Sequence, residues 1–410
     1  MTDKIVLKLG DVMLKGRNKK RIMDAFVHHI SEVLDTEAMT LERHHDRCYI
    51  HLNSVAPQSL INKLHTISGL HSYAFVKTTT RDLASIMTTI VSLIDEINKP
   101  GKTFKVSTKR NDKSFPINSM TLSSTIGEKL LAMYPSWQVD VKNPDVTIHI
   151  EIRKSGIDIY LNKIPLMGGF PVGMLGTGLL LMSGGLDSPV AGYLSMKQGI
   201  ALEIMHFEST PMTSIEAAQK VIELTKKIAL YAPKQKILLH MVPFEKLHQA
   251  LINNIPEEYV ITIMRRMMLR IASRYAMQQH IPVLITGESV GQVASQTLES
   301  IHVINAVTSM PIIRPLATMD KNDIIEIAKV IDTYDTSIQP FDDCCSVYVP
   351  KSPTIKPRNM YANRYERLFD FQQLIDYAMK ETHTISVSSD LTITLNTLGL
   401  TVQTALKGED

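Results

Sequence analysis

The sequence predicts a multidomain protein that combines α+β and α/β folds, and three observations carry that prediction. At 410 residues the chain is long for a single core. The hexad Gly168-Gly169-Phe170-Pro171-Val172-Gly173 cannot sustain the interior of a helix or strand and marks a linker. Before it, strands and helices fall into two small α+β sets; beyond it they alternate, the pattern of a doubly wound parallel sheet.

In chain order, residues 4–9 read as a strand, 18–34 as a helix, 47–52 as a strand, 58–67 as a helix and 72–77 as a strand. The second set begins with a helix over 82–97 that places Leu83, Ile86, Ile90, Leu93 and Ile97 on one face. A strand at 103–108, a helix at 120–133 and strands at 145–152 and 156–161 follow. Past the linker, strands are expected at 178–182, 201–207, 236–242, 283–286 and 311–313, with helices among them at 189–197, 214–230, 260–277 and 321–330. From Ser386 the tail is rich in Ser and Thr, and its alternating stretch Leu391-Thr392-Ile393-Thr394-Leu395 is compatible with a further strand. No role is readable in it.

Charge is unevenly spread. The formal net charge is +3, yet residues 1–115 hold 18 Lys+Arg against 12 Asp+Glu, so the positive field sits in the N-terminal third and the rest is net negative. That asymmetry suits a polyanionic partner, with a solvated basic face as the plainer alternative. Three cysteines, Cys48, Cys344 and Cys345, two of them adjacent, make no disulfide framework and point to a reducing compartment. The chain opens on no apolar signal core, and no apolar run approaches the roughly 20 residues of a membrane span. A soluble, cytoplasmic protein with no membrane partner is expected.

The most informative segment is Ser183-Gly184-Gly185-Leu186-Asp187-Ser188, between an apolar strand and a helix start. Two glycines let the backbone approach an oxyanion closely, and hydroxyls and N–H groups at the helix N-terminus complete an anion cradle. It lacks the Gly-Lys-Ser/Thr end of a P-loop and the spacing of a GxGxxG fingerprint. It resembles the PP-loop, SGGxDS, of ATP pyrophosphatases, which split ATP between the α- and β-phosphates to adenylate a substrate oxygen.

With the linker and PP-loop in place, the order of the chain resembles the tRNA 4-thiouridine synthetases, also called tRNA sulfurtransferases, in a short form without the rhodanese domain of some members. The resemblance runs from about Lys4 to about Tyr377. Its marks are Leu14-Lys15-Gly16-Arg17-Asn18, Asp46-Arg47, Asn143-Pro144-Asp145, Glu151-Ile152-Arg153, Gly169 to Gly173, Met264-Arg265-Arg266-Met267-Met268, Thr286-Gly287-Glu288-Ser289, Gly291-Gln292-Val293-Ala294-Ser295-Gln296-Thr297 and Asp342-Asp343-Cys344-Cys345. Leu9-Gly10-Asp11 departs from the usual Tyr-Gly-Glu. The resemblance implies an N-terminal ferredoxin-like domain at 1–60, a THUMP RNA-binding domain at 61–167 and a PP-loop ATP pyrophosphatase domain at 174–385, leaving 386–410 as a tail.

It also implies site residues. Leu181, Met182, Ser183, Gly184, Gly185, Ser188, His206, Phe207, Arg265, Gly287 and Gln296 would contact ATP. Local chemistry agrees: Phe207 offers a flat apolar surface to a purine, Gly287 admits close backbone approach, and Arg265, off the apolar stripe Ile261, Met264, Met268, Ile271, can give phosphate a bidentate guanidinium. A histidine such as His206 is by itself more often structural than a ligand, and its place at a strand's carboxyl end shifts the balance toward a ligand. Asp187 is placed to position Mg²⁺ against pyrophosphate, with a solvated helix-cap role as the alternative. Cys344 and Cys345 suit persulfide chemistry, in which one thiol carries sulfur and a second attacks the persulfide or closes a disulfide. The family's Asp-Cys alignment points to Cys344 as carrier, although adjacent cysteines can exchange roles. Ordinary small residues, or a zinc site lacking further ligands, are the alternatives. Cys48 reads as a buried small hydrophobe.

The implied reaction is ATP-dependent conversion of a tRNA uridine, position eight in the family, to 4-thiouridine. Lys15, Arg17, Lys19, Lys20 and Arg110 would grip tRNA by shape and phosphates. A cysteine desulfurase would load the persulfide, a thiamine sulfur-carrier protein would be a second acceptor, and a homodimer is the family's expectation. An ammonia-using PP-loop ligase and a non-catalytic RNA-binding module remain the competing classes; the cysteine pair counts against the first and the intact PP-loop against the second.

Overall fold

The chain divides within the glycine-rich hexad into two units, Met1–Phe170 and Pro171–Asp410. The computed structural model describes residues 4–9, 19–34, 39–44, 47–52, 57–97, 103–344, 353–395, 399 and 401–407.

In the first unit β1 (Lys4–Leu9), α1 (Lys19–Val33), β2 (Thr40–Arg43), β3 (Arg47–His51), α2 (Pro57–Leu64) and β4 (Leu70–Thr79) are followed by α3 (Leu83–Glu96), β5 (Thr103–Arg110), α4 (Ser119–Met133), β6 (Gln138–Val139), β7 (Val146–Arg153), β8 (Gly156–Leu161) and β9 (Ile164–Pro165). One sheet runs β2-β3-β1-β4-β8-β7-β5-β6, with β9 on β4. β4 is long enough to serve both halves: Ala74 pairs with Val6 of β1, and Lys77 with Ile159 of β8. The Asp82 carboxylate caps α3 through Ser85 N–H (2.8 Å). Ile86, Ile90 and Leu93 of that helix are buried with Ile148, Ile150 and Ile152 of β7.

Because strand side chains alternate, the positions between those isoleucines, His149 and Glu151, point the other way and are titratable. Glu151 takes Lys8 (3.1 Å), the Tyr160 hydroxyl (2.7 Å), Arg153 (3.2 Å) and Arg47. Asp158 takes Lys4 (3.0 Å), Arg153 (3.3 Å) and the Tyr49 hydroxyl (2.7 Å). Arg47 lies on β3 and Glu151 on β7, four steps apart in the strand order, which would be about 19 Å in a flat sheet. Their ion pair requires the sheet to curl at β4 and close around the charged cluster. Lys4, Lys8 and Arg47, part of the N-terminal basic surplus, are therefore turned inward.

This cluster makes the first unit acid-sensitive. Burial raises the Glu151 pKa, but Lys8 and Arg47 outweigh it and hold the group at about 2, below its ordinary 4.5. Burial, reinforced by Lys163 and Lys8, lowers His149 to about 4 from 6.5. Both folded values lie below the unfolded ones, so each contribution is present above the unfolded pKa and is lost as pH falls through the folded value. His149 acts between about 6.5 and 4 and Glu151 between about 4.5 and 2. Trp137 is the single tryptophan and is buried in this unit, so its fluorescence reports unfolding there. Stability should start to fall below about pH 6.5; because burial also lowers His29 in this unit, His149→Gln should shrink that upper limb while leaving the lower one. An acid profile unaltered by the substitution contradicts this.

The second unit contains β10 (Thr177–Leu181), α5 (Asp187–Lys197), β11 (Ala201–Glu208), α6 (Ile215–Ala229), β12 (Lys236–Pro243), α7 (Glu245–Asn254), α8 (Val260–Gln278), β13 (Val283–Ile285), α9 (Leu298–Asn305), β14 (Ile312–Ile313), α10 (Lys321–Val330), α11 (Tyr334–Ser337), α12 (Asn359–Glu366), α13 (Phe371–Lys380), β15 (His383–Ser388) and α14 (Val402–Leu406). The sheet order is β14-β13-β10-β11-β12-β15, parallel throughout except for β15 at its edge. Adjacent strand residues feed opposite faces. Leu180 and Ile204 pack with Val190, Val221 and Ile324, whereas Leu179 and Met205 pack with Ile263, Met264 and Met267. Strands covered on both sides explain why β10 and β11 read as apolar runs rather than alternations.

Two local expectations change. Residues 391–394 are irregular, and the edge strand is β15. Ile393 and Leu395 enter the core beside α6, where the Gln219 side chain donates to Ile393 O (3.0 Å) and accepts from Leu395 N–H (2.9 Å). Alternation here records burial against a helix, not a ladder. Helix α8 is buried well beyond the expected stripe: Arg266 is only 1% exposed, with Glu366 (2.7 Å), Asn363 (2.6 Å) and Val303 O (2.7 Å) taking its donors. Ile261 is half-buried instead of core. Among the described residues, no helix is long and apolar enough to cross a membrane.

Candidate active site

Strand β10 ends at Leu181 and α5 begins at Asp187, so the motif at 183–188 forms the turn at the carboxyl end of a central parallel strand, where ligands of such sheets bind. Ser188 staples it. The Ser183 N–H donates to Ser188 Oγ (3.0 Å) and the Ser188 hydroxyl donates back to Ser183 O (3.0 Å). Pro189, in the first turn of α5, has no N–H to leave unsatisfied there. Gly287 follows β13 and lies against this turn: a Cβ on it would sit 2.7 Å from Ser188 N and 2.8 Å from the Asp187 carbonyl carbon, so only glycine allows the approach.

Around the turn opens a cleft of about 650 Å³, lined by Leu181, Met182, Ser183, Gly185, Asp187, Ser188, His206, Phe207, Arg265, Gly287, Gln296, Asp343 and Cys344 among others. Phe207 is held edge-on by Phe244, with centroids 5.4 Å apart. The His206 Nδ1–H donates to Met182 O (2.9 Å), a bond that fixes the ring at the end of β11 and satisfies the structural reading of this residue. Gln296 Oε1 is buried in the cleft wall with no hydrogen-bond partner among the described residues.

Charge is arranged in pairs. Asp187 Oδ1 accepts from Lys321 (2.6 Å). Arg265 donates to Glu288 Oε1 (2.7 Å), while Glu288 Oε2 takes Arg314 (2.7 Å) and Thr286 (3.0 Å). One carboxylate between two guanidiniums holds Arg265 at the cleft wall. Among the described residues no three His, Cys, Asp or Glu side chains are grouped to hold a metal.

Of the sequence-derived residues, the structure brings the motif, Leu181, Met182, His206, Phe207, Arg265, Gly287, Gln296 and Cys344 into one region of the second unit. Gly184 is buried beneath the turn rather than on the cleft wall. Cys345, Lys15 and Arg17 lie outside the described residues, as does the side chain of Lys19. Lys20 is exposed on α1, and Arg110 ends β5 with a bond to Phe115 O (3.2 Å). Cys48 is fully buried, and burial pushes its thiol up to about 11.

Sequence reasoning gave no role to Lys321, Glu288, Arg314 or Lys220. Two of these had signals. Lys321 opens α10, where a cation opposes the helix dipole and so needs a reason, which Asp187 supplies. Lys220 interrupts the apolar face of α6 between Ala217 and Leu224.

Family models match three successive segments: the ThiI ferredoxin-like domain over 4–74, the THUMP domain over 80–162 and the thiamine biosynthesis protein (ThiI) over 173–371. A probable tRNA sulfurtransferase of Acholeplasma laidlawii is 46% identical over 408 residues, covering 99% of this chain and 98% of the relative. The chain belongs to the tRNA sulfurtransferase family. A second relative of that name, from Geobacillus thermodenitrificans, is 41% identical over 389 residues, 95% of this chain and 96% of its own. Among solved structures, a 4-thiouridine synthetase in complex with RNA and bound ATP superposes with a TM-score of 0.83 at 31% identity, covering 95% of this chain and all of that one. The ferredoxin-like, THUMP and PP-loop architecture expected from the sequence is thus the architecture of this tRNA sulfurtransferase family member.

Proposed function

We propose that this chain adenylates a tRNA uridine at O4 with ATP and then replaces that oxygen with sulfur from a Cys344 persulfide, giving 4-thiouridine at the position the family modifies, uridine eight. The observation that carries the proposal is that the phosphate-cradling turn, Asp187 and Cys344 all line one cleft. A carbonyl oxygen is a poor leaving group; as part of AMP it is a good one.

The adenine of ATP stacks on Phe207, with Gln296 Oε1 as an acceptor for its amino group, and Arg265 and the 183–188 turn hold the phosphates. Uracil O4 attacks the α-phosphorus, pyrophosphate leaves, and the N3 proton is released. The terminal persulfide sulfur on Cys344 then attacks C4 and AMP departs, leaving a disulfide between Cys344 and the base. The Cys345 thiolate attacks Cys344 Sγ, so the base leaves with both bonding electrons on its sulfur and takes up a proton at N3 to become 4-thiouridine, while the two cysteines close a disulfide, which an external dithiol reduces. Mg²⁺ fits this site: Asp187 offers the hard oxygen donor it prefers, and the ion would neutralise pyrophosphate charge.

The first unit, with the ferredoxin-like segment taken as 1–60 and the THUMP segment as 61–167, holds tRNA. A 4-thiouridine synthetase solved with RNA and the exposure of Lys20 support this. A cysteine desulfurase loads Cys344, and the ThiI family match supports a second acceptor, a thiamine sulfur-carrier protein. Adenylation has a direct test. Unmodified tRNA labelled with ¹⁸O at uracil O4 should yield AMP carrying that ¹⁸O in its phosphate. Label appearing in pyrophosphate or water instead sinks the proposal.

A further inference from the structure

Lys220 of α6 is 5% exposed and does not line the cleft. Its ammonium donates to Phe341 O (2.7 Å) and Gln339 O (3.2 Å), just ahead of Asp342-Asp343-Cys344. Beside it, Asp343 Oδ2 accepts the Gly184 N–H (2.7 Å), and Asp343 Oδ1 is buried without a hydrogen-bond partner among the described residues. There is no room at 184 for a side chain: a Cβ would lie 2.5 Å from Lys220 Cε and 3.0 Å from Asp343 Oδ1. Three segments far apart in sequence therefore meet around one buried ammonium. Burial lowers the Lys220 pKa, with Asp343 and Asp342 opposing the shift. An apolar residue would fill the face of α6 without that penalty, so the cation's use lies in what it holds.

We propose that Lys220 and Asp343 are positioning residues for sulfur delivery: together they clamp the segment leading to Cys344 onto the Gly184 turn, setting the reach of the cysteine to the adenylated base. This rests on Cys344 as the sulfur carrier. Misplacing a reacting group by an ångström can cost about a hundredfold in rate, and Lys220 itself lies off the cleft wall, so its loss should act on the Cys344 segment more than on ATP.

The test uses full-length Lys220→Met, Asp343→Asn and the double variant, with unmodified tRNA, ATP and persulfide loaded from labelled cysteine by a cysteine desulfurase. Pyrophosphate release is read separately from single-turnover sulfur transfer. Transfer should fall about 30-fold in Lys220→Met, with pyrophosphate release within about threefold and KM for ATP and tRNA within about twofold, and about 10-fold in Asp343→Asn when measured against that variant's own rate of pyrophosphate release. Because the two residues act as one unit, the double variant, measured in the same way, should be no slower than Lys220→Met. Asp343→Asn, isosteric and still able to accept from Gly184, keeps the test open if Lys220→Met misfolds. Unchanged transfer, a parallel loss of pyrophosphate release in Lys220→Met, or losses that multiply in the double variant overturns the clamp. A Cys344→Ser control separates the two readings: if that variant still transfers sulfur, the carrier assignment fails; if it is dead while Lys220→Met is fully active, the clamp alone fails.

Discussion

Asp187→Ala should lower tRNA-dependent pyrophosphate release by about 10²–10³-fold, the loss typical when one preorganised electrostatic contact to a transferring group is removed. The carboxylate lines the cleft and is paired with Lys321, whose side chain is 43% exposed. The solvated lysine can relax into water, so folding stability should change by less than about 1 kcal/mol. Affinity for tRNA should be unaltered, since the surface proposed to hold it is on the first unit. An equal fall in tRNA affinity and pyrophosphate release, with both units folded, removes Asp187 from the chemistry.

Cys344→Ser should abolish thiolation while pyrophosphate release continues within about threefold of wild type, because adenylation needs the cradle and not the thiol. A hydroxyl cannot carry sulfane sulfur at all. Cys345→Ser should be milder, completing one turnover when dithiothreitol is present, since an external thiol can resolve the disulfide to the base. Cys48→Ser should leave the chemistry intact, because that thiol is buried in the first unit and held protonated near pKa 11. Full thiolation by Cys344→Ser beside an inactive Cys345→Ser would transfer the carrier role to the second cysteine.

Much of this was legible in the sequence because the relevant signals are local. The strand-glycine-helix pattern at 183–188 fixes its own turn, since backbone approach to an anion needs glycine at set positions, and parallel strands buried on both faces announce themselves as apolar runs such as 178–182. Pairings between distant residues left little trace. Glu288 bridges Arg265 and Arg314, and Asp343 bonds to Gly184 across 159 positions. Such partners become adjacent only when crossover connections bring strand ends together. The basic surplus overstates the outward-facing charge for the same reason: a count of lysines does not reveal that Lys4 and Lys8 face Asp158 and Glu151. Alternation at 391–395 was ambiguous because a period of two fits both a ladder and an irregular segment that presses every second residue onto a helix.

The most direct test of the central claim is a single turnover with ³⁵S-persulfide on the wild-type chain and unmodified tRNA, with and without ATP, followed by nucleoside analysis. Label should enter 4-thiouridine only when ATP is present, one AMP should form per sulfur transferred, and label should leave the Cys344 peptide at the rate at which it appears in the tRNA. Sulfur entering tRNA without ATP, or AMP forming while the label stays on the protein, would contradict that claim.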